Sequence, residues 1–236
     1  MRGLSFEVLA CLLLGVVCAA QQVTVSARVK LVDAENSSEL QHAENVVVWL
    51  TPIGAQPTRK MVPNQSLRLV QHNKSFEPHL LVVPVGAVVA FPNRDPFFHN
   101  VFSLFDGKRF DLGLYEAGTT RNVSFDRVGV SYIFCNIHAE MSAVVIALDT
   151  PYYGISNRKG EIVIPDVPTG SYTLRTWAET VLPEALNAMS REVRISANNS
   201  TLGVLQISAG MISAAHKNKF GMDYEPPAPN SPGYNR

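Results

Sequence analysis

Cysteine is scarce in this sequence, with three residues in 236, at positions 11, 18 and 135. The first two fall in an apolar N-terminal stretch. A chain that loses that stretch keeps Cys135 alone, which excludes a disulfide within it. An excess of either charge is also missing. Lysine plus arginine number 20, aspartate plus glutamate number 20, and no basic run or stripe appears. The electrostatic footprint of a nucleic-acid binder is therefore absent. The long apolar run is confined to residues 4–19, LSFEVLACLLLGVVCA, after Arg2 and before Ala20-Gln21-Gln22. A basic start, an apolar stretch and a small-residue end mark a secretory signal peptide over 1–20, with cleavage expected after Ala19 or Ala20. The run is short for a membrane span, which needs about 20 residues. An uncleaved N-terminal anchor is the alternative, while Val17 and Gly15 disfavour a lipoprotein site at Cys18. The rest is expected to be periplasmic or secreted, with no membrane span. No Ser-His-Asp arrangement, phosphate-cradling glycine loop or zinc-protease helix is visible, so no enzymatic activity is expected.

What the chain does have is β-strand patterning cut by turn chemistry. Residues 23–33, VTVSARVKLVD, alternate as a half-buried strand should, and 46–52, VVVWLTP, form a continuous apolar run. A polar, proline-containing stretch (53–66) follows and reads as a loop. From Leu67, seven or so short strands fall within about 80 residues, separated by turn signals at Gly86, Asn93-Arg94-Asp95-Pro96, Asp106-Gly107, Gly118 and Gly129, as in a β-sandwich. A third block, 158–177, reads as a hairpin, with further strands at 191–197 and 201–208. Residues 181–189 fit either a short helix or an extended connection. Residues 209–236 are expected to be a mobile tail or draped over the surface. The fold class expected is all-β.

Cys135 bears on function. A lone thiol in an oxidising compartment is a liability unless it is buried, dimerised or metal-bound. It lies in FCNIHAEM (134–141), a Cys-x2-His-x2-Met segment at a strand end. His99 lies 36 residues upstream in DPFFHNVFS. One thiolate, two imidazoles and a thioether are the ligand set of a type 1 copper site, a trigonal His2Cys plane with a long axial methionine. Three ligands on one short loop converge if the loop reverses between strands, and a histidine from a neighbouring strand completes the plane. Each residue alone has a plain reading: Cys135 a buried thiol, Met141 core filler, His99 a loop histidine. Together the types and spacing favour a metal site. Zinc also suits Cys and His, and the thioether argues against it. His79 is expected on a strand surface, His42 and His216 in solvent.

Residues 67–148 resemble the cupredoxins, small blue copper proteins of plastocyanin and amicyanin type. The resemblance rests on Phe76-Pro78, Val83 to Gly86, Val89-Phe91-Asn93, His99-Asn100 and the ligand loop, whose shortness is closest to amicyanin. FDLGLY, CNIHAEMSA and LDTPYY look like bacterial secreted plastocyanin-like proteins labelled methylamine-utilisation proteins. RKGEIVIPDVPTGSYTLRTW and VTVSARVKLVDAENSSELQHAENVVVWLTP are similar to strands of a carboxypeptidase-regulatory-like, or transthyretin-like, sandwich. These likenesses imply a Greek-key cupredoxin sandwich at 66–148, inserted in or flanked by a second small sandwich made of 21–55 and 149–208. They imply copper as Cu(I) and Cu(II), held by His99, Cys135, His138 and Met141. Cys135 would supply the coloured charge transfer and His138 the edge facing a redox partner protein, while Asn100 would steady the site near the Cys135 sulfur. The expected function is single-electron transfer in the periplasm. The alternatives are a copper-binding or storage module without electron transfer, and an envelope interaction protein with a vestigial site.

Overall fold

The computed structural model describes residues 21–54, 60–61, 67–104, 107–210 and 216–224. The expected signal peptide, part of the 53–66 loop and residues 211–215 and 225–236 of the expected tail lie outside them. Among the described residues no helix is long and apolar enough to cross a membrane.

The described residues are all-β, with one short helix. Strands β1 (Gln22–Asp33) and β2 (Val47–Pro52) come first. Nine short strands follow: β3 (Val70–His72), β4 (Ser75–Glu77), β5 (Leu80–Pro84), β6 (Ala87–Pro92), β7 (His99–Ser103), β8 (Phe110–Tyr115), β9 (Thr120–Phe125), β10 (Gly129–Cys135) and β11 (Ser142–Leu148). The chain continues through β12 (Tyr153–Ile155), β13 (Glu161–Pro168), β14 (Gly170–Trp177), α1 (Pro183–Ala188), β15 (Arg191–Ile195) and β16 (Thr201–Ala209). The 181–189 segment thus resolves into a helical turn and a half, opened by Pro183, whose missing N–H costs nothing in the first turn. Nine short strands, rather than the seven or so expected, fall within 67–148, and β12 falls between the expected blocks. In β8 the pattern is broken by Asp111 and by Gly113, which takes a left-handed φ of 66°.

Strand pairing falls into two sets. Strands β5, β11, β10, β7 and β8 form one sheet in that order, faced by the pairs β3–β4 and β6–β9. Strands β13, β1 and β16 form a second sheet and β12, β2, β14 and β15 a third. Trp49 in β2 sits opposite Arg175 in β14, and Val47 opposite Trp177. No hydrogen-bonded ladder among the described strands joins the first set to the second.

Two apolar cores result, and the period-2 alternation of β5 shows how they are shared. Leu81 and Val83 enter a core with Phe91, Val101, Phe125, Ile133, Val145 and Cys135. Leu80 and Val82, on the opposite face, enter a core with Val25, Val29, Leu50, Ile164, Leu174 and Leu205. Strand β11 does the same, sending Ala143, Val145 and Ala147 one way and Val144, Ile146 and Leu148 the other. The five-stranded sheet is therefore covered on both faces, which explains why SAVVIAL is apolar without alternation. Two polar ties cross the same boundary: the His79 ring lies 2.7 Å from Glu179 Oε2, and Trp177 Nε1 donates to the Tyr132 hydroxyl at 3.4 Å.

Candidate metal centre

Three strand ends bring the candidate ligands together. Cys135 is the last residue of β10 and pairs with Val101 of β7, so His99, the first residue of β7, extends two residues past that pair. Strand β10 runs antiparallel to β11, with Phe134 opposite Ser142. The chain must reverse within 135–141, and two short bonds close the loop: Cys135 N–H donates to the Met141 carbonyl and Met141 N–H to the His138 carbonyl, both at 3.2 Å. A third bond, from Asn136 N–H to the Asn100 carbonyl at 2.8 Å, ties the loop to β7.

The resulting geometry is compact. Cys135 Sγ lies 3.6 Å from His99 Nδ1 and 3.6 Å from His138 Nδ1. The donor atoms of the three residues all lie within 4.8 Å of one another, and all three residues are buried. Sulfur and nitrogen donors bonded to one ion at about 2.3 and 2.0–2.1 Å stand roughly 3.6–3.8 Å apart for angles between tetrahedral and trigonal. The two sulfur–nitrogen separations therefore match donors that share one metal ion. Met141 is fully buried in the same core as Cys135. Phe97 packs on both imidazoles, 5.3 Å from the His99 ring and 5.5 Å from the His138 ring, and helps keep water out.

Burial sets the protonation of the metal-free site. It lowers the pKa of His99, with Asp95 opposing, and it brings His138 down to about 4. Both rings are neutral at physiological pH, so each keeps a nitrogen lone pair for a metal. Burial pushes the Cys135 thiol up, against the pull of the backbone N–H groups of Asn100, Ile137 and His138 that face its sulfur. A metal ion binding there must displace the thiol proton, so uptake should be weaker at lower pH.

Asn100 works through its backbone. Its N–H faces the sulfur and its carbonyl holds Asn136, while its side-chain amide donates to Asp111 Oδ1 at 2.6 Å. A more consequential partner, Asp95, escaped the sequence reading, where it counted as a turn residue. Asp95 Oδ2 accepts from His99 Nε2 at 2.9 Å and from Lys74 N–H at 3.0 Å, and Oδ1 accepts from Asn73 N–H at 2.6 Å. Burial pushes the Asp95 carboxyl up, but these donors together hold it below the usual carboxylate range. An ionised Asp95 keeps the proton of His99 on Nε2 and leaves Nδ1 free toward Cys135, the arrangement that orients a ligating histidine. The available signal was Asp four residues before a candidate ligand histidine, in a loop whose Asn93 caps it through a bond from Asp95 N–H to Oδ1 at 3.0 Å.

The remaining histidines divide. His79, expected on a strand surface, lies instead in the bend just before β5, half-buried and held between the Ser142 carbonyl and Glu179. His216, expected in solvent, instead stacks on Phe134 with ring centroids 4.0 Å apart.

No family model and no curated protein sequence matches this chain. Among solved structures it is similar to a purple cupredoxin from Nitrosopumilus maritimus, at 22% identity and TM-score 0.32, over 35% of this chain and 100% of that one. A copper-containing nitrite reductase from Thermus scotoductus matches at 20% identity and TM-score 0.34, over 42% of this chain and 25% of that one. A reduced amicyanin variant matches at 20% identity and TM-score 0.33, over 37% and 86% respectively. Likenesses this slight leave the chemistry to be read from the chain's own residues.

Proposed function

We propose that this chain is an exported cupredoxin-type copper protein that carries single electrons to or from a redox partner protein. His99, Cys135 and His138 would hold the metal in a plane, with Met141 as a weaker axial donor and Asn100 beside the sulfur. The observation that carries the reading is the Cys135 sulfur placed 3.6 Å from one ring nitrogen of each of two buried histidines. A bound copper would supply reversible one-electron chemistry. The protein's part is to hold soft and borderline donors fixed through both oxidation states, which a thiolate, imidazoles and a thioether suit. Burial of all three donors supports a carrier over a centre that must admit substrate. Export is proposed from the 1–20 signal pattern; mass spectrometry of the native protein should find Ala20 or Gln21 at the N-terminus, and an intact Met1 would refute it. The 66–148 segment is proposed as the copper unit, inserted into one sandwich made of 21–55 and 149–208, a reading supported by the pairing of β2 with β12 and β14.

The test is to add Cu(II) to the purified chain, record the visible spectrum and then titrate the product against redox mediators. An intense thiolate-to-copper band with a reversible one-electron wave is expected. Copper binding without a reversible wave would favour a storage role, and no copper binding would favour a vestigial site; either outcome overturns electron transfer.

A further inference from the structure

Residues 216–224, HKNKFGMDY, form a turn closed on Asn218, whose Oδ1 accepts from Phe220 N–H at 2.9 Å and Met222 N–H at 3.1 Å. Both ends of the turn touch the candidate metal loop. The Tyr224 hydroxyl donates to the Cys135 carbonyl at 2.6 Å. His216, stacked on Phe134, places Nδ1 3.2 Å from that same hydroxyl. Between them, Lys219 N–H donates to Asn136 Oδ1 at 2.9 Å, and Lys219 Nζ reaches Asp111 Oδ2 at 2.8 Å. Asp111 in turn holds the Asn100 side chain. Every anchor point is thus a candidate ligand, a residue next to one, or, for Asp111, the partner of Asn100 beside His99.

We propose that 216–224 is a built-in clamp on the metal loop, with Tyr224, Lys219 and His216 as positioning residues for Cys135 and its neighbours. The proposal rests on the copper reading above and concerns how that same site is held. The peptide group before Cys135 is fixed through its N–H by Met141, and the one after it from both sides, its Asn136 N–H by the Asn100 carbonyl and its Cys135 carbonyl by Tyr224. With both pinned, the Cα–Cβ bond that carries the sulfur has one direction. The loop has no sheet partner of its own between Asn136 and Met141, so without the clamp it samples more conformations. Ordering it must then be done at the expense of metal affinity. The Lys219–Asp111–Asn100 chain links the loop to β7, so the clamp spans both strands that supply ligands.

The experiment compares four forms of the copper-loaded protein: the parent, Tyr224→Phe, Lys219→Ala and a chain ending at residue 215. Lys219→Arg serves as the conservative rescue. The first readout is the rate at which excess Cu(I) chelator strips the reduced protein. One lost hydrogen bond of ordinary worth predicts a roughly three- to ten-fold faster release for Tyr224→Phe. The shortened chain should be faster still, and Lys219→Arg close to the parent. The second readout needs no metal: the rate at which Cys135 in the metal-free protein reacts with a disulfide reagent, with Cys135→Ser as blank. It should rise several-fold when the clamp is cut. The last described strand ends at Ala209, so an unchanged thermal midpoint of the metal-free shortened chain is the check that folding is intact; if that chain unfolds, Tyr224→Phe decides. Release and thiol rates within two-fold of the parent in Tyr224→Phe overturn the clamp. Should the parent take up no copper, the copper reading fails while the thiol rates still judge the clamp.

Discussion

Replacing Asp95 with alanine separates a passive turn residue from one that orients a ligand. Three donors lose their acceptor: His99 Nε2–H, Asn73 N–H and Lys74 N–H. His99 is fully buried, so its stranded N–H should cost about 1–3 kcal/mol. The two backbone donors sit in a turn with exposed or half-exposed residues, where water can replace the carboxylate at little cost. Asn73 and Lys74 also have left-handed backbones, φ 52° and 54°. Their two N–H groups point at one carboxylate, and without it the turn loses part of what holds it in that conformation. The sum is roughly 2–4 kcal/mol, a substantial part of the ~5–15 kcal/mol of an ordinary domain but not all of it. In urea, Asp95→Ala should lower the midpoint without changing the slope. Copper affinity should fall about 10–100-fold, the usual cost of losing the partner of a ligating histidine. Asp95→Asn should lie between, since one amide oxygen can still accept from His99 while its NH2 confronts a backbone donor. An Asp95→Ala protein with parental copper affinity and spectrum would refute the assignment.

Cys135→Ser should abolish the intense visible absorption of the copper-loaded protein, because no thiolate remains to donate charge; a retained band in the spectrum would place the colour elsewhere. Met141→Leu should keep the colour and shift the reduction potential, as measured by redox titration, since an axial ligand tunes the potential without building the plane. The His79–Glu179 contact gives a pH dependence. The hydrogen bond to Glu179 raises the His79 pKa against the opposing effect of burial, so its contribution is full below the unfolded value near 6.5 and is lost as pH rises through the folded one. Both side chains are more than a third exposed, so the loss should stay under about 1 kcal/mol; urea midpoints at pH 5.5 and 9 should show it in the parent and not in His79→Ala. Excising 67–148 should yield an aggregating product by light scattering. It uncovers Leu80, Val82, Val144, Ile146 and Leu148, each worth roughly 1.5–3 kcal/mol of burial; a soluble, two-state fragment would count against a shared core.

Legibility in the sequence followed the range of the interaction. Strands such as β1, whose buried residues alternate as Val25, Ala27, Val29 and Leu31, could be read from period alone. The three buried donors could be proposed because two of them sit three residues apart and the third follows a strand-ending turn. Asp95 could not be read as more than a turn residue, because its role depends on where Asn73 and Lys74 arrive, more than 20 residues away. The 216–224 clamp carries no periodicity; His216 and Tyr224 are placed by contacts with β10 over 80 residues upstream. Strand β12 pairs with β2 across a hundred residues and has only three residues of its own, too few for a pattern.

The site's rigidity begins far behind it. Strand β11 is buried on both faces because two cores press on it from opposite sides. A strand so enclosed cannot slip by one residue without sending large apolar side chains into positions shaped for alanine on the other face, where Ala143 and Ala147 now pack. That fixes β11, and β11 fixes β10 through six consecutive pairs from Gly129–Ala147 to Phe134–Ser142. The last residue of the ladder is one step from Cys135. Position is therefore transmitted along the register from a doubly buried strand to the sulfur, and the loop from Asn136 to Met141 has only local freedom left to remove. The core that gathers Val25, Val29, Leu50, Ile164 and Leu174 accordingly has a physical part in the candidate site: it covers the back of the sheet from which Cys135 projects.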